Sequence, residues 1–499
     1  MVKSAGVQRE SDGVVVPLIG VQHNAPGGKG PDFGRADRVG KREGMAGVPV
    51  NFPGGPQPAV AVDGKPSPVK VRELQRRLWT VAKQQQGRRF HALYDRIHRG
   101  DVLWEAWGRV RANRGAAGVD RVTLAFVEDE YGVERLLAEL QAEFRSGSYR
   151  PAPARRVDIP KPAGGVRPLG IPTVRDRVAQ AAAKIVLEPI FEAGFEDCSF
   201  GFRPKRSALQ AKETIRKAFN AGFVHVAEAD IRGFFDNIDH DRLLVEVGRR
   251  VSDRRVLKLV GQWLRAGVMT AGGLERTVAG TPQGGVISPL LANIFLHAFD
   301  TEVRARGLGL LVRYADDFVI MTRSADRAEA ALRGAGDILA SMGLQLHPDK
   351  TRVVDLREGR EGFDFLGCHF HARMSGRLWE QKRIVRYYLH RWPSQRAMKR
   401  LREKVRDRTG ASRAGTRIER VIETLNPILR GWGNYFRTGN AAAKFRQIDR
   451  YVAWRLHRLQ VKKRGRNLRA GQADQWTEDW FNERGLYRLR GTIRYPKAA

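Results

Sequence analysis

The sequence predicts an α+β protein in which a helical part is followed by a mixed part and then by a strongly basic helical part. Three observations predict this order. Apolar residues recur at helical spacing after residue 71, short apolar strands alternate with helices between Val224 and Phe370, and basic helical patterning follows Gly376. The chain has 499 residues, which is enough for two or three domains with their own cores.

The first 70 residues contain 13 Gly and 9 Pro without a regular period. This exceeds the level of roughly 25–30% at which disorder becomes the better prediction. We therefore expect residues 1–70 to form a disordered Gly/Pro-rich arm. The sequence leaves open whether this segment is translated.

Helices are predicted between residue 71 and the first strand of the mixed part. Apolar side chains recur every three or four positions in three stretches, so that each stretch buries one face. The residues are Leu74, Leu78 and Val81, then Phe90, Leu93, Tyr94 and Ile97, then Val133, Leu136, Leu137, Leu140 and Phe144.

The charge of the chain points to a polyanionic partner. There are 89 Lys and Arg against 54 Asp and Glu, a formal charge of +35, and residues 371–470 alone hold 28 basic and 6 acidic residues. An excess that persists over a hundred residues, interleaved with aromatic side chains, can neutralise phosphates and stack bases. Because Cys198 and Cys368 are the only cysteines, a disulfide framework and a four-cysteine zinc site are excluded, and a reducing compartment is expected.

An acidic pair marks the clearest candidate site. Residues 310–321 read as two apolar strands around Asp316 and Asp317, which predicts a tight hairpin with both carboxylates at its tip. Two like charges between buried strands are costly unless a cation neutralises them. An ordinary acidic turn that faces water is the alternative.

A third carboxylate is expected nearby. Residues 224–231 alternate as a strand, and Asp230 would emerge at its end. If this strand lies beside the hairpin, three carboxylates converge and could hold two Mg²⁺ ions for phosphoryl transfer. Zinc does not fit, because Cys and His clusters are lacking.

Several boxes in sequence order resemble those of the reverse transcriptases encoded by bacterial group II introns. Tyr314-Ala315-Asp316-Asp317 resembles their YADD box, and the Asp230 segment resembles their first catalytic motif. The other boxes are residues 113–120, 159–162 (IPKP), 167–172 (RPLGIP), 201–204 (GFRP), 280–289 (GTPQGGVISP) and 365–367 (FLG), with 425–427 (LNP) and 430–436 (RGWGNYF) resembling the maturase domain. The resemblance implies a right-hand polymerase, with helical fingers and a palm with an antiparallel sheet, followed by an α-helical basic thumb/maturase domain.

The resemblance also implies domain boundaries. The tail has too few Cys and His residues for the HNH endonuclease found in many of these proteins, so a form lacking that domain is expected. The expected division is 1–70 arm, 71–220 fingers and N-terminal extension, 221–375 palm, 376–465 thumb and maturase domain, and 466–499 basic tail without an endonuclease.

The resemblance assigns roles to individual residues. Asp230, Asp316 and Asp317 would be catalytic and would bind metal, with Ile231 as a further metal contact. Phe365, Leu366 and Gly367 would support the primer end, although a tight strand turn explains Gly367 equally well. The residues implied to bind the incoming nucleotide are Lys161, Arg167, Phe235, Gln283 and Lys350. Phe235 would be a steric gate against the ribose 2′-hydroxyl, or else a core residue with Phe234. Lys350 is a candidate general acid near the pyrophosphate, but an ordinary exposed lysine is the favoured interpretation.

The implied activity is RNA-directed DNA synthesis, coupled to binding of the intron RNA for splicing and retromobility. The implied partners are group II intron RNA, an RNA template with a DNA primer, deoxynucleoside triphosphates and two Mg²⁺ ions. We expect no membrane contact and a cytoplasmic location, where association with the nucleoid is feasible.

Two alternatives remain open at this point. Reverse transcriptases of other bacterial lineages, serving retrons, diversity-generating elements or CRISPR adaptation, would share the metal site. A splicing cofactor that binds RNA without polymerase activity would share the basic helical region. The maturase-like stretch at residues 425–436 favours the intron protein over the first alternative, and the three acids argue against the second.

Overall fold

The computed structural model describes residues 62–160, 166–270, 272–275, 279–280 and 284–494. Most of the expected 1–70 arm lies outside them. Within these residues the helices are α1 (Pro68–Gln84), α2 (Tyr94–Ile97), α3 (Gly100–Ala112), α4 (Leu124–Phe126), α5 (Val133–Ser146), α6 (Val174–Glu192), α7 (Ala208–Asn220), α8 (His240–Gly248), α9 (Arg254–Arg265), α10 (Ser288–Ala305), α11 (Ala325–Ser341), α12 (Gly376–Lys382), α13 (Gln395–Arg408), α14 (Ile418–Phe436), α15 (Ala442–Arg464) and α16 (Glu478–Glu483). The strands are β1 (Ala154–Pro160), β2 (Val166–Ile171), β3 (His225–Asp230), β4 (Val268–Thr270), β5 (Gly273–Glu275), β6 (Leu310–Tyr314), β7 (Asp317–Thr322), β8 (Arg352–Asp355), β9 (Gly362–Phe365), β10 (Cys368–Met374) and β11 (Tyr387–Pro393).

The N-terminal helices pack around α6, which is buried along most of its length. Helices α1 and α3 lie directly against it, and the apolar stripes predicted for α1 and α5 face this core. The Thr173 side chain caps α6 by accepting a hydrogen bond from the Asp176 N–H, which satisfies one of the free amides of the first turn. The first helix begins at Pro68, slightly before the expected start at residue 71.

A four-stranded sheet has the order β2-β1-β4-β5. Strands β1 and β2 lie in the region for which only helices were expected, whereas β4 and β5 lie in the mixed part of the chain. Strands β1 and β2 are antiparallel, with Arg155 opposite Ile171 and Ile159 opposite Arg167. Polar and charged residues occupy much of β1, so the apolar alternation that identifies a half-buried strand is weak here.

The central sheet has the order β6-β7-β3-β8, and its neighbours are antiparallel. Strand β7 is buried on both faces, because Phe318 and Ile320 belong to a core with the N-terminal helices, whereas Val319 and Met321 belong to a second core with the C-terminal helices. Side chains of a strand alternate between faces, so a continuous apolar run is what a sheet between two cores requires. The antiparallel sheet expected for the palm is therefore present.

The C-terminal part consists of the sheet β11-β10-β9 and the helices from α12 onward. The second core contains the buried faces of α13, α14 and α15. It also contains Trp476, Phe481 and Leu489, which lie in the segment expected to be only a basic tail. The described part of that segment is thus packed onto the helical unit.

No helix in the described residues is long and apolar enough to span a membrane.

Candidate active site

Asp230 and Asp317 lie directly opposite each other on neighbouring strands. In the antiparallel register of β3 and β7, His225 faces Thr322 and the pairing ends with Asp230 facing Asp317. Strand β7 is apolar from Phe318 to Met321, and β3 buries Val226, Ala227 and Ala229. Burial of these faces fixes the register, and the register fixes the pairing of the acids. The acids from the two sequence motifs thus meet at one end of the two central strands of the sheet.

Asp316 occupies the turn between β6 and β7. Tyr314 pairs with Asp317, which leaves Ala315 and Asp316 as the two-residue loop of a β-hairpin. Ala315 has a φ of 59°, the left-handed conformation that tight hairpin loops require. The predicted hairpin is present, with Asp316 in its loop and Asp317 as the first residue of β7.

The electrostatics of the site favour a bound cation. Burial raises the pKa of Asp317 well above its usual range, and the charges of Asp230 and Asp316 raise it further. A buried carboxylate with two other carboxylates beside it is costly to ionise without a neutralising charge. The three side chains offer only carboxylate oxygens, which are ligands for hard divalent cations.

Lys350 supplies one positive charge to the site. It follows the β3 edge in a short 3₁₀ turn, residues 348–350, and its ammonium forms an ion pair with the Asp230 carboxylate. The residues just before this turn are tied to the end of β3, since the His347 N–H donates to the Asp230 carbonyl over 2.8 Å and Leu346 forms a β-bridge with Ile231. Among the described residues, no group of three or more His, Cys, Asp or Glu side chains has the geometry of a metal site.

A buried ion pair holds the hairpin from behind. Arg313, in β6, makes a two-pronged contact with Asp300 of α10, with Nε–Oδ1 and Nη2–Oδ2 distances of 2.6 Å, and both side chains are fully buried. The same guanidinium donates to the Ala315 carbonyl over 2.9 Å, to Asn293 and to the Ser199 hydroxyl. The turn that carries Asp316 is therefore anchored to helix α10. Sequence reasoning missed this pair, although a single charge inside an apolar run at each position was a usable signal.

The GFRP box packs directly behind the same turn. A Cβ on Gly201 would lie 2.4 Å from the Ala315 nitrogen, so only glycine allows the two backbones to approach this closely. The Gly201 carbonyl accepts a hydrogen bond from Asn293 over 2.8 Å. Arg203 is buried and pairs with Glu192 over 2.8 Å. The described contacts of this box are therefore with the protein interior.

The residues expected to bind the nucleotide are only partly described. Phe234 is buried and lies 6.5 Å from Phe295, centroid to centroid. Phe235 is half-buried, packs against the same core and has its ring centroid 5.1 Å from that of Phe234, so its packing is compatible with the core role and leaves the steric gate a prediction. Lys161 and Gln283 lie outside the described residues, and the same holds for the side chain of Arg167.

The FLG box forms the turn between β9 and β10. Phe365 pairs with Cys368, and Leu366 and Gly367 have φ angles of 49° and 72°, so both loop residues are left-handed, as in a type I′ turn. Phe365 and Leu366 are buried. Glycine at the second position follows from this geometry, as the sequence interpretation allowed.

Comparison with known proteins identifies two regions of the chain. Residues 159–370 match the family described as reverse transcriptase (RNA-dependent DNA polymerase), and residues 398–476 match the group II intron maturase-specific domain. The second match ends beyond residue 465, the expected end of the maturase domain. It includes Trp476, in agreement with the packing of that segment.

Three individual comparisons are informative about extent. Protein YkfC of Escherichia coli is 35% identical over 352 residues, which cover 62% of this chain and 91% of YkfC. The group II intron-encoded protein LtrA of Lactococcus lactis is 40% identical over 215 residues, which cover 43% of this chain and only 35% of LtrA. Telomerase of Candida albicans aligns with a TM-score of 0.37 and 15% identity over 63% of this chain and 62% of that one, which is a weak structural similarity.

The two matched regions occur in the order expected from the sequence boxes, and the maturase match favours the intron lineage over the other bacterial lineages. The protein is an RNA-directed DNA polymerase that also assists intron splicing. Its partners include intron RNA and a template with its primer. The chain belongs to the reverse transcriptase/maturases encoded by group II introns.

Proposed function

We propose that Asp230, Asp316 and Asp317 hold two Mg²⁺ ions for DNA synthesis, with Ile231 as a further contact. The single observation that carries this is the register of β3 and β7, in which Asp230 faces Asp317 next to the Asp316 turn. The raised pKa of Asp317 supports it, because burial and two neighbouring carboxylates make the ionised site unfavourable without cations.

Bound divalent ions would lower the pKa of the primer 3′-hydroxyl and neutralise charge on the departing pyrophosphate. The residues of the chain position these groups. Strand pairing holds Asp230 and Asp317 at a fixed spacing, and the hydrogen bond from Arg313 to the Ala315 carbonyl holds the Asp316 turn. The Lys350 ammonium is paired with Asp230. When a nucleotide binds, this ammonium would form an ion pair with a substrate phosphate, and its ion pair with Asp230 would weaken.

The incoming deoxynucleoside triphosphate is proposed to lie between the palm acids and the β1–β2 hairpin. Lys161 and Arg167 would contact its phosphates, and Gln283 would contact the nucleotide and template. The half-buried ring of Phe235, five positions beyond Asp230, would exclude a ribose 2′-hydroxyl. Phe365, Leu366 and Gly367 would support the primer end.

Intron RNA is proposed to bind the helical unit that begins at α13. Exposed cations line one face of α13, opposite to its buried Met398, Leu401 and Val405. On α15 the indole of Trp454 is exposed and lies 4.9 Å from the Arg458 guanidinium, an arrangement suited to stacking an unpaired base. Phosphate contacts would make the affinity fall steeply with salt. A cytoplasmic location, near the nucleoid, agrees with these partners.

Primer extension on an RNA template with Mg²⁺ tests the metal site. We expect Asp316→Ala to abolish extension while leaving binding of intron RNA intact, because the RNA-binding helices lie elsewhere. Asp337→Ala, which removes an exposed carboxylate from α11, is the matched control and should extend normally. Normal extension by Asp316→Ala would show that the site assignment is wrong. Absence of extension by the unmodified protein, with splicing retained, would favour the splicing cofactor.

A further inference from the structure

The turn formed by Leu366 and Gly367 is held by the helical unit that follows it. The Tyr435 hydroxyl, from the last turn of α14, donates a hydrogen bond to the Leu366 carbonyl over 2.9 Å. The Ser394 N–H, at the start of α13, donates to the Gly367 carbonyl over 2.9 Å. Both carbonyls of the turn are therefore fixed by residues of the C-terminal unit.

Aromatic packing reinforces this junction. The Phe436 ring lies 3.7 Å from the position that a Cβ on Gly367 would occupy. The buried ammonium of Lys212, from α7, lies 4.0 Å from the centroid of the Tyr435 ring and 3.7 Å from the Cys368 sulfur. A cation over an aromatic face in a desolvated site restricts the ring, so the Tyr435 hydroxyl is pre-positioned toward the turn.

A second contact ties the same helix end to the strand beside the turn. Arg391 of β11 is buried and donates to the Thr438 carbonyl over 3.0 Å, just after α14, and it pairs with Glu213 of α7 over 3.0 Å. Its own carbonyl accepts from the Asn440 N–H over 2.7 Å. The end of α14, β11 and α7 thus form one rigid junction around the turn.

We propose that Tyr435 is a positioning residue for DNA synthesis, which sets the Leu366–Gly367 turn and through it the seating of the primer end. The maturase-like RGWGNYF box thereby takes part in polymerisation as well as in the helical unit itself. This inference rests on the proposed role of the turn in primer support. Because Tyr435 touches the turn and not the acids, its effect is expected on primer binding rather than on nucleotide binding.

Steady-state extension by the full chain tests this with Tyr435→Phe, which removes the hydroxyl and keeps the ring beneath Lys212. The KM for annealed primer–template should rise roughly three- to tenfold, the range expected for one lost hydrogen bond. The KM for the deoxynucleoside triphosphate should stay unchanged, and the thermal unfolding midpoint should fall no further than that of the control variant, which also loses one internal hydrogen bond. A control that makes the same chemical change is Tyr94→Phe, whose hydroxyl donates to the Phe144 carbonyl over 3.1 Å and whose ring lies 4.7 Å from the Arg255 guanidinium.

The outcomes separate this inference from the proposed function. A rise in primer KM for Tyr435→Phe but not for Tyr94→Phe supports the inference. The inference is overturned if Tyr435→Phe changes neither the KM for primer–template nor the KM for the deoxynucleoside triphosphate. It is also overturned if these two KM values rise equally and the unfolding midpoint of Tyr435→Phe falls below that of Tyr94→Phe. If Asp316→Ala is inactive and the primer KM of Tyr435→Phe is unchanged, the inference fails while the proposed metal site stands. If Asp316→Ala still extends, the proposed metal site fails, whatever Tyr435→Phe shows.

Discussion

Replacing Asp300 with asparagine would leave the guanidinium of Arg313 buried without its counter-charge. The native pair has two contacts of 2.6 Å, and both side chains have no exposed area. Arg313 also donates to the Ala315 carbonyl in the turn that carries Asp316. The substitution therefore removes one charge and, through Arg313, perturbs the position of the turn that carries Asp316.

The magnitude follows from burial. Removing one partner of a buried ion pair costs about 3–5 kcal/mol, because the remaining charge loses its compensation and stays out of water. The neighbouring pair of Glu302 and Arg306 lies on the same helix at 2.7 Å, but its side chains are 45% and 43% exposed. Exposed pairs contribute about 0–1 kcal/mol. Glu302→Gln is thus a control that removes one carboxylate charge on α10 without the burial.

Urea unfolding followed by circular dichroism measures the difference. For transitions of equal slope, the midpoint of Asp300→Asn should fall by an amount equivalent to about 3–5 kcal/mol, whereas Glu302→Gln should stay within about 1 kcal/mol of the unmodified protein. Extension activity of Asp300→Asn should also fall at temperatures where it remains folded. If both variants lose the same small amount, the reasoning from burial is wrong.

Three further predictions concern other parts of the chain. Hydrogen bonds from Arg357 lower the pKa of Asp355 to about 2. Asp355→Asn should therefore lower the free energy of unfolding by about 1–2 kcal/mol at neutral pH. This difference should vanish as the pH falls from about 4 toward 2, and a difference that stays constant with pH would contradict the prediction. Gly201→Ala would place a Cβ 2.4 Å from the Ala315 nitrogen and should lower the extension rate at least roughly tenfold. The control Gly108→Ala, with no atom within 4 Å of the new Cβ, should leave the rate unchanged. Equal rates for the two variants would show that the close approach of Gly201 to Ala315 does not hold the turn. Replacing three exposed cations of α13 with Glu should weaken intron RNA binding in filter assays and lower the slope of log affinity against log salt by about 0.7–0.9 per lost phosphate contact; an unchanged slope would exclude this face. The three cations are Arg396, Lys399 and Arg406.

The strand and helix order of the palm was predictable because its residues carry strong local patterns. The apolar run on both sides of Asp316 and Asp317 predicts a hairpin, and alternation up to Asp230 predicts the strand that pairs with it. The β1–β2 hairpin was not predicted, because Arg155 lies on one face of β1 and Arg156 and Asp158 lie on the other. A strand with charged residues on both faces lacks a clear apolar period.

The contacts around the site could be predicted only in part. The sequence motifs identified the acids, and the structure places Asp230 opposite Asp317. The Arg313–Asp300 pair and the Tyr435–Leu366 hydrogen bond join segments that are distant or unrelated in local pattern. Such contacts depend on which helix faces lie against each other after packing, and local sequence patterns do not predict this arrangement. The roles of Lys161, Arg167, Gln283, Phe235 and Lys350 stay predictions.

The position of the central sheet explains why polymerisation and RNA binding are joined in one chain. Strand β7 is buried between the two cores, so the edge that carries Asp317 is fixed from both sides. From the first core, α10 holds the Asp316 turn through Arg313; from the second, α14 holds the Leu366–Gly367 turn through Tyr435. A displacement of α14 would therefore be transmitted to the Leu366–Gly367 turn without crossing a flexible linker. Since α14 belongs to the maturase domain, RNA bound to that domain has a direct mechanical route to the turn that we propose supports the primer end.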